Sequence, residues 1–242
     1  MSRREQIVRT NFEALAANSY PGRGIIIGRT AANQIVQVYW VMGRSENSRN
    51  RILERDGDVV RTAPFDPAKV EDPSLIIYNA MAQESRQHVV SNGDQTDTVI
   101  DYLRDGSEAT LIHPALKTRT YEPDAPNYTP RITGATNAYT GRSIMWLTRR
   151  LPYGETQHSY HLDFFDIKSV GRCLHTYLGD GDPLPSFKAR PYLVPVGEGG
   201  EDTAQMYWDH LNSDNRVALV AKTIGINEDK TVNYHIINKH KT

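Results

Sequence analysis

His88-Val-Val-Ser-Asn-Gly-Asp-Gln-Thr-Asp-Thr98 joins a short β-rich run to the start of a helix, with Val99, Tyr102 and Leu103 following at helical spacing. A strand, a tight turn at Ser91-Asn92-Gly93 and a capped helix start bring backbone N–H groups and short polar side chains to one spot. Such a spot suits a phosphate or a carboxamide, and it is equally an ordinary turn. What lies on either side has to decide between these readings.

Working outward, residues 3–17 carry Val8, Phe12 and Leu15 as an apolar stripe, and Tyr20-Pro21-Gly22 ends that helix. Strands are expected over 24–28 and 34–42, the second so continuously apolar that both its faces should be buried. Asp56-Gly57 between two β-rich runs predicts a hairpin. Further strands are expected over 74–80 and 88–90, and helices over 95–104 and 107–118. The second half predicts strands over 131–138, 143–148, 158–166 and 172–178, then a Gly/Pro-rich loop at 179–185. A helix over 203–211 and strands over 217–223 and 231–237 complete the pattern. Hairpins in blocks separated by helices argue for an α+β fold of layered sheets and helices, not a regularly alternating parallel sheet.

Bulk properties narrow the function. The 242 residues suffice for one substantial core, and residues 1–242 read as a single domain with a helical extension over 1–19. A formal charge of −1 gives no basic field for nucleic acid. No apolar run reaches the ~18 residues that would span a bilayer. Met1-Ser-Arg-Arg-Glu5 lacks the apolar core of a secretory signal. The lone Cys173 excludes an internal disulfide, fits a reducing compartment and reads as a small buried hydrophobe in a strand. The expectation is a soluble cytoplasmic protein whose near-neutral charge permits a homo-oligomer.

Several familiar chemistries are missing. There is no Gly-x-x-x-x-Gly-Lys-Ser/Thr loop, no Gly-x-Ser-x-Gly elbow, and Gly22-x-Gly24-x-x-x-Gly28 runs along a strand instead of following one. His158 and His161, three apart on an expected strand, point to opposite faces and do not share a metal ion. Asp180 and Asp182 sit in a Gly/Pro-rich turn and read as turn formers. What remains is a set of polar residues at strand mouths: Arg44-Ser45 and Asn50-Arg51 after the buried strand, Tyr78-Asn79, Tyr121-Glu122, and Thr129-Pro130-Arg131. Arginines so placed can grip a phosphate monoester with two parallel hydrogen bonds.

Taken together, Ser74-Leu-Ile-Ile-Tyr-Asn79, Ser91-Asn-Gly-x-x-Thr-Asp-Thr98 and Tyr121-Glu122…Thr129-Pro-Arg-Ile132, preceded by Arg44-Ser45…Asn50-Arg51, resemble the archaeal-type IMP cyclohydrolase family. The resemblance covers roughly residues 20–132. It implies a four-layer αββα sandwich similar to N-terminal-nucleophile hydrolases, used without an N-terminal nucleophile. It implies a purine-nucleotide substrate, 5-formamidoimidazole-4-carboxamide ribonucleotide, closed to IMP and water with no metal and no cofactor. The family's key arginine, tyrosine and glutamate fall on Arg51, Tyr78 and Glu122, with Arg49 an alternative for the arginine because the segment is about two residues longer than the family pattern. Around them, Arg44, Ser45, Asn50, Asn79, Ser91, Asn92, Gly93, Thr96, Asp97, Thr129 and Arg131 are the expected substrate-binding residues. Asn79 and Asn92 are expected to read the carboxamide, each offering donor and acceptor. Arg44, Arg131 and the helix start after Gly93 are expected to hold phosphate or ribose.

Two other readings stay open. An amidohydrolase of the same fold would need an N-terminal nucleophile, yet Ser2 precedes a helix instead of heading a strand. A non-catalytic nucleotide-binding protein would keep the pocket without the chemistry. The 179–185 loop is either a flap over that pocket or a plain connection.

Overall fold

The computed structural model describes residues 1–70, 76–163 and 167–241. Helix α1 (Arg3–Ala17) leads to strands β1 (Gly24–Arg29) and β2 (Ile35–Met42), the one-turn helix α2 (Glu46–Arg49), and the hairpin of β3 (Arg51–Asp56) and β4 (Val59–Pro64). Strands β5 (Asn79–Glu84) and β6 (Gln87–Ser91) precede α3 (Gln95–Arg104) and the one-turn α4 (His113–Leu116). Then come β7 (Arg131–Asn137), β8 (Ser143–Arg150), β9 (Thr156–Asp163), β10 (Val170–His175) and β11 (Tyr192–Pro195). Helix α5 (Gly200–His210), β12 (Arg216–Ile224) and β13 (Val232–Asn238) follow.

The strands form two antiparallel sheets, ordered β11-β10-β1-β2-β12-β13 and β3-β4-β5-β6-β7-β8-β9. Side-chain alternation explains why they face one another. Along β2, Ile35, Tyr39 and Val41 join the cluster that also takes Met81, Val90, Ile132 and Met145 from the other sheet. Val36, Val38, Trp40 and Met42 of the same strand point the other way, among Leu15 of α1 and Ala204, Tyr207 and Trp208 of α5. Every residue of β2 is therefore buried, as its nearly continuous apolar run suggests, Gln37 included. The second sheet repeats the arrangement: Val89, Ala135 and Trp146 on its outer face pack on Val99, Ile100 and Leu103 of α3 and Leu116 of α4. The architecture is α+β with two antiparallel sheets and few helices. No helix among the described residues is long and apolar enough to cross a membrane.

Helix α1 starts as its sequence dictates. The Ser2 hydroxyl accepts from Glu5 N at 3.2 Å while the Glu5 carboxylate accepts from Ser2 N at 2.7 Å, a capping box. Most expected elements match within a few residues, and the departures have local causes. The helix expected over 107–118 is a 3₁₀ turn at Ala109–Leu111 followed by α4, because Pro114 is tolerated only in a first turn. The strand expected over 74–80 begins at Asn79, with residues 74 and 75 outside the described part. There the Thr62 N–H still donates to Tyr78 O at 2.9 Å, but the Thr62 side chain makes the other bonds, donating to Ile76 O at 2.6 Å and accepting from Tyr78 N at 3.0 Å. The strand expected over 158–166 is β9, with 164–166 likewise outside the described residues. Strand β11 was not expected: it is four residues long, closed by Pro195 at the sheet edge, where a missing N–H costs no ladder bond. Cys173 lies buried in β10, and burial pushes its thiol up to about 12, as an inert core residue requires.

One end of the inter-sheet space is polar. Lys222 of β12 is fully buried and donates to Gln83 Oε1 at 3.0 Å, with the Tyr234 ring 5.3 Å from its ammonium. His88 lies in the same region, pushed well below its ordinary value by burial and further by Lys222 and Arg86, so its ring is neutral. Burial lowers Lys222 from 10.5 to about 7, with Asp58 opposing and Arg55 adding to the shift. The unfolded chain thus holds a proton that the folded chain releases, and stability rises with pH above about 7. Urea midpoints measured from pH 7 to about 9 should climb for the wild type and stay flatter for Lys222→Met. Parallel curves for the two proteins would contradict the buried amine.

Candidate functional site

The other end of the inter-sheet space opens into a cavity of about 350 Å³. Its wall begins with the turn ahead of β1. Gly22 has φ +74°, and a Cβ there would overlap Thr176 and the Tyr177 ring, so only glycine lets the chain lie against the end of β10. Arg23 follows, held by its own N–H donating to Thr176 Oγ1 at 3.1 Å and its carbonyl accepting from Thr176 N at 2.9 Å. Its guanidinium is delivered into the cavity.

There Arg23 meets Glu122. Arg23 Nη2 lies 2.6 Å from Glu122 Oε2, and Arg23 Nη1 donates to Asn92 O at 2.9 Å. Both side chains are buried, with 10% and 3% of their surface exposed. Burial raises the Glu122 carboxyl above its ordinary value while Arg23 draws it back. Burial also works against the Arg23 charge, but Glu122, with Tyr78 and Tyr177 adding to it, holds the guanidinium well above its ordinary value. Glu122 itself sits on a brace: its N–H donates to Thr129 O at 2.9 Å, and Asp124 accepts from Thr129 N at 2.7 Å and from the Thr129 hydroxyl. The Thr129 hydroxyl also pairs with the Tyr177 phenol, whose ionisation burial pushes up to about 12. Tyr177 stacks on Tyr20 with ring centroids 5.9 Å apart, and Arg44 lies over the Tyr20 ring.

Opposite this pair stands Arg51. Ser45 caps α2, the helix lasts one turn, and β3 begins at Arg51, so the guanidinium turns back under the loop. Arg51 Nε donates to Ser48 O at 2.8 Å and Nη2 to Met42 O at 3.0 Å, which fixes the fork and leaves its remaining N–H groups for a ligand. Arg49 points elsewhere, to Gly43 O and Asn215, so Arg51 and not Arg49 borders the cavity. At the mouth, Arg44 pairs with Asp180 and donates to Gly181 O at 2.9 Å, making the 179–185 loop part of the wall.

The structure thus brings Arg44, Ser45, Arg51, Glu122 and Thr129 of the expected set to one cavity. Tyr78 stands behind that wall, 7% exposed, with its hydroxyl 2.5 Å from that of Tyr39. The rest lie off the cavity and brace it. Asn50 is bonded to both the N–H and the carbonyl of Asp66. Asn79 donates to Asp97 at 2.8 Å. The Ser91 hydroxyl bonds Thr96 at 2.6 Å and Gly93 O at 2.9 Å. Asn92 spends its side-chain oxygen on Ile132 N and Gln95 and donates to Pro130 O, so it anchors the turn to β7 instead of facing a ligand. Arg131 binds Asp94, Gln95 and Thr120 O, so its charge is taken up by the Asp94 carboxylate at the start of α3, where a phosphate was expected. Gly93 admits this crossing, since a Cβ there would stand 2.7 Å from Gln95 Oε1 and 2.8 Å from Arg131 Nη1.

Arg23, Tyr20, Asp124 and Tyr177 were not singled out in the sequence. Arg23 had the available signal: it heads β1 as Arg51 heads β3. Ser2, the candidate nucleophile of the alternative reading, is an exposed helix cap. His158 bonds Thr148 at 3.0 Å on β9, and among the described residues no group of three His, Cys, Asp or Glu side chains is placed to hold a metal ion. A carboxyl of raised proton affinity, a fixed cation beside it and a second, backbone-anchored arginine opposite suit an anionic small molecule that must exchange a proton.

Sequence comparison places the chain among known proteins. A profile of the family described as IMP cyclohydrolase-like protein matches residues 20–230. The "IMP cyclohydrolase" of Methanothrix thermoacetophila is 33% identical over 129 residues, covering 52% of this chain and 60% of that protein. That of Methanopyrus kandleri is 32% identical over 135 residues, covering 55% and 64%. That of Methanocaldococcus jannaschii is 31% identical over 113 residues, covering 47% and 54%. The chain therefore spans less than two thirds of the length of each of these relatives.

Removing one partner of a buried ion pair strands the other charge. Arg23→Gln should lower the unfolding free energy by about 3–5 kcal/mol near neutral pH. With Arg23 gone, the folded-state value of Glu122 rises further above 4.5, so the deficit should grow as pH climbs past that point. Chemical denaturation at pH 5 and pH 8 measures both; equal stability of the variant and the wild type would contradict the pairing.

Proposed function

The chain belongs to the IMP cyclohydrolase-like protein family, and from that premise we propose that it closes 5-formamidoimidazole-4-carboxamide ribonucleotide to IMP and water. The observation that carries this reading is the shared cavity of Arg51, Glu122 and Arg23. Its volume of about 350 Å³ falls within the range usual for small-molecule sites, ~300–1,000 Å³. We read residues 1–242 as one domain in which α1 precedes the matched region. Two facing sheets with helices outside support an αββα sandwich of the kind found in N-terminal-nucleophile hydrolases.

The reaction needs positioning, charge stabilisation and proton movement. The carboxamide nitrogen attacks the formyl carbon of the same molecule, and a carbinolamine forms. The formyl oxygen then leaves as water, carrying one hydrogen from the carboxamide nitrogen and one from the former formamide nitrogen. Folding the formyl group onto the amide supplies the largest advantage, because the two reacting groups are otherwise free to rotate apart. Glu122 takes the amide proton: its raised proton affinity and fixed position suit a base working near neutral pH. Arg23 keeps that carboxylate in place and stabilises negative charge nearby. Arg51 offers the N–H groups not spent on Ser48 O and Met42 O to phosphate or to the developing oxyanion, and Arg44 with Ser45 stands at the mouth for phosphate or ribose. Tyr78 hands its proton to the formyl oxygen when substrate reaches the back of the cavity. Asn79, Asn92 and Arg131 serve by holding the turn that carries Asn92 O to Arg23.

Ultraviolet absorbance during incubation of the purified protein with the formylated substrate tests the reading. The wild type should form IMP, and Glu122→Gln and Tyr78→Phe should each lower kcat by about 10²-fold or more with small changes in KM. Absence of IMP, with the substrate still raising the melting temperature, would mean a nucleotide-binding role instead.

A further inference from the structure

Side-chain alternation on β2 turns Tyr39 toward the opposite sheet, into the cluster that contains Tyr78. Tyr39 is fully buried, and the Tyr78 hydroxyl is its hydrogen-bond partner among the described residues, at 2.5 Å. Two hydroxyls share one hydrogen between them, so one phenol donates and the other keeps its own hydrogen for something else. If Tyr78 donated, the Tyr39 O–H would be left without an acceptor in the apolar core, where an unmade bond is most costly. If Tyr39 donates, the hydrogen left over belongs to Tyr78, whose ring is the less buried of the two.

We infer that Tyr39 is a positioning residue for proton transfer: it donates to Tyr78 and thereby aims the Tyr78 hydrogen toward the cavity. This inference rests on the ring-closing role proposed for Tyr78. In the step, the Tyr78 O–H bond breaks as its proton passes to the formyl oxygen, and the charge left on the phenol oxygen accepts from Tyr39. The phenol regains its proton from those released at the two substrate nitrogens, so no outside donor is required. Burial, together with Tyr78, holds the Tyr39 ionisation well above its ordinary value, although Arg23 and Arg51 pull it down, so Tyr39 stays protonated throughout. Arg23 beside Tyr78 favours the same transient negative charge.

Tyr39→Phe removes one buried oxygen and leaves the ring in place. It should lower kcat by about tenfold while KM changes less than twofold. In a Tyr78→Phe background the same change should have no further effect on kcat, since there is no phenol left to orient. An unchanged kcat for Tyr39→Phe, or the same loss in both backgrounds, would overturn the proposal. Should Tyr39→Phe fail to fold, the wild type decides the matter by NMR. The slowly exchanging hydroxyl proton between the two oxygens should correlate with the Tyr39 ring, and a correlation with Tyr78 would overturn the proposal. A wild type that forms no IMP would defeat the ring-closing reading itself, and the NMR assignment would still fix which phenol donates.

Discussion

Two opposite charges held 2.6 Å apart at the end of the inter-sheet space constrain everything around them. Taking an arginine and a glutamate out of water costs several kcal/mol per ion, and their attraction offsets this only with close geometry and further hydrogen bonds. The fold provides both. Gly22 lets the chain pass against Thr176 and Tyr177 so that Arg23 enters the cavity, and the Ser91-Asn92-Gly93 turn presents a carbonyl to its second nitrogen. The Asp124–Thr129 brace fixes the backbone of Glu122. As a device for stability such a pair is weak. As a way to keep a carboxyl of raised proton affinity at a set position, it is effective.

The two ends of the same interior are tuned differently. At the far end, Lys222 and neutral His88 are buried with few compensating charges, and burial lowers both. At the cavity end, three arginines converge near Tyr20, and burial there raises phenols and a carboxyl instead. The apolar middle of β1, β2 and β12 separates them and supplies a rigid floor. Catalytic geometry within fractions of an ångström requires such a floor. The Tyr39–Tyr78 contact ties that floor to the wall behind the cavity: a core strand of one sheet holds a phenol that precedes β5 of the other.

Much of this was legible in the chain. The nearly continuous apolar run of β2 announced a strand buried on both faces, and Asp56-Gly57 announced the hairpin of β3 and β4. The polar block at 91–98 does mark the expected strand, turn and helix, but the helix start is not capped as expected: Asp94 makes no side-chain capping bond, its carboxylate being taken by Arg119 and Arg131. Its role was harder to read, because a turn that serves a site by bracing and a turn that touches ligand use the same residues. Asn92 and Arg131 differ from Arg51 only in what the fold puts opposite them. Arg23 and Tyr39 went unnoticed for a related reason. Their partners Glu122 and Tyr78 are distant in sequence, and no local period encodes which strands of two facing sheets meet. Pro114 and Thr62, by contrast, act through a missing N–H and through a side chain that takes the Tyr78 N–H in place of a backbone carbonyl.

A crystal structure of the protein with IMP decides whether the Arg23–Glu122 cavity takes a purine nucleotide. The base should lie beside Glu122, with Arg51 or Arg44 on the phosphate and Asn92 still bonded to Ile132 N. IMP bound elsewhere, such as the groove lined by Arg149, Arg150 and Lys188, with this cavity left without nucleotide, would contradict that placement.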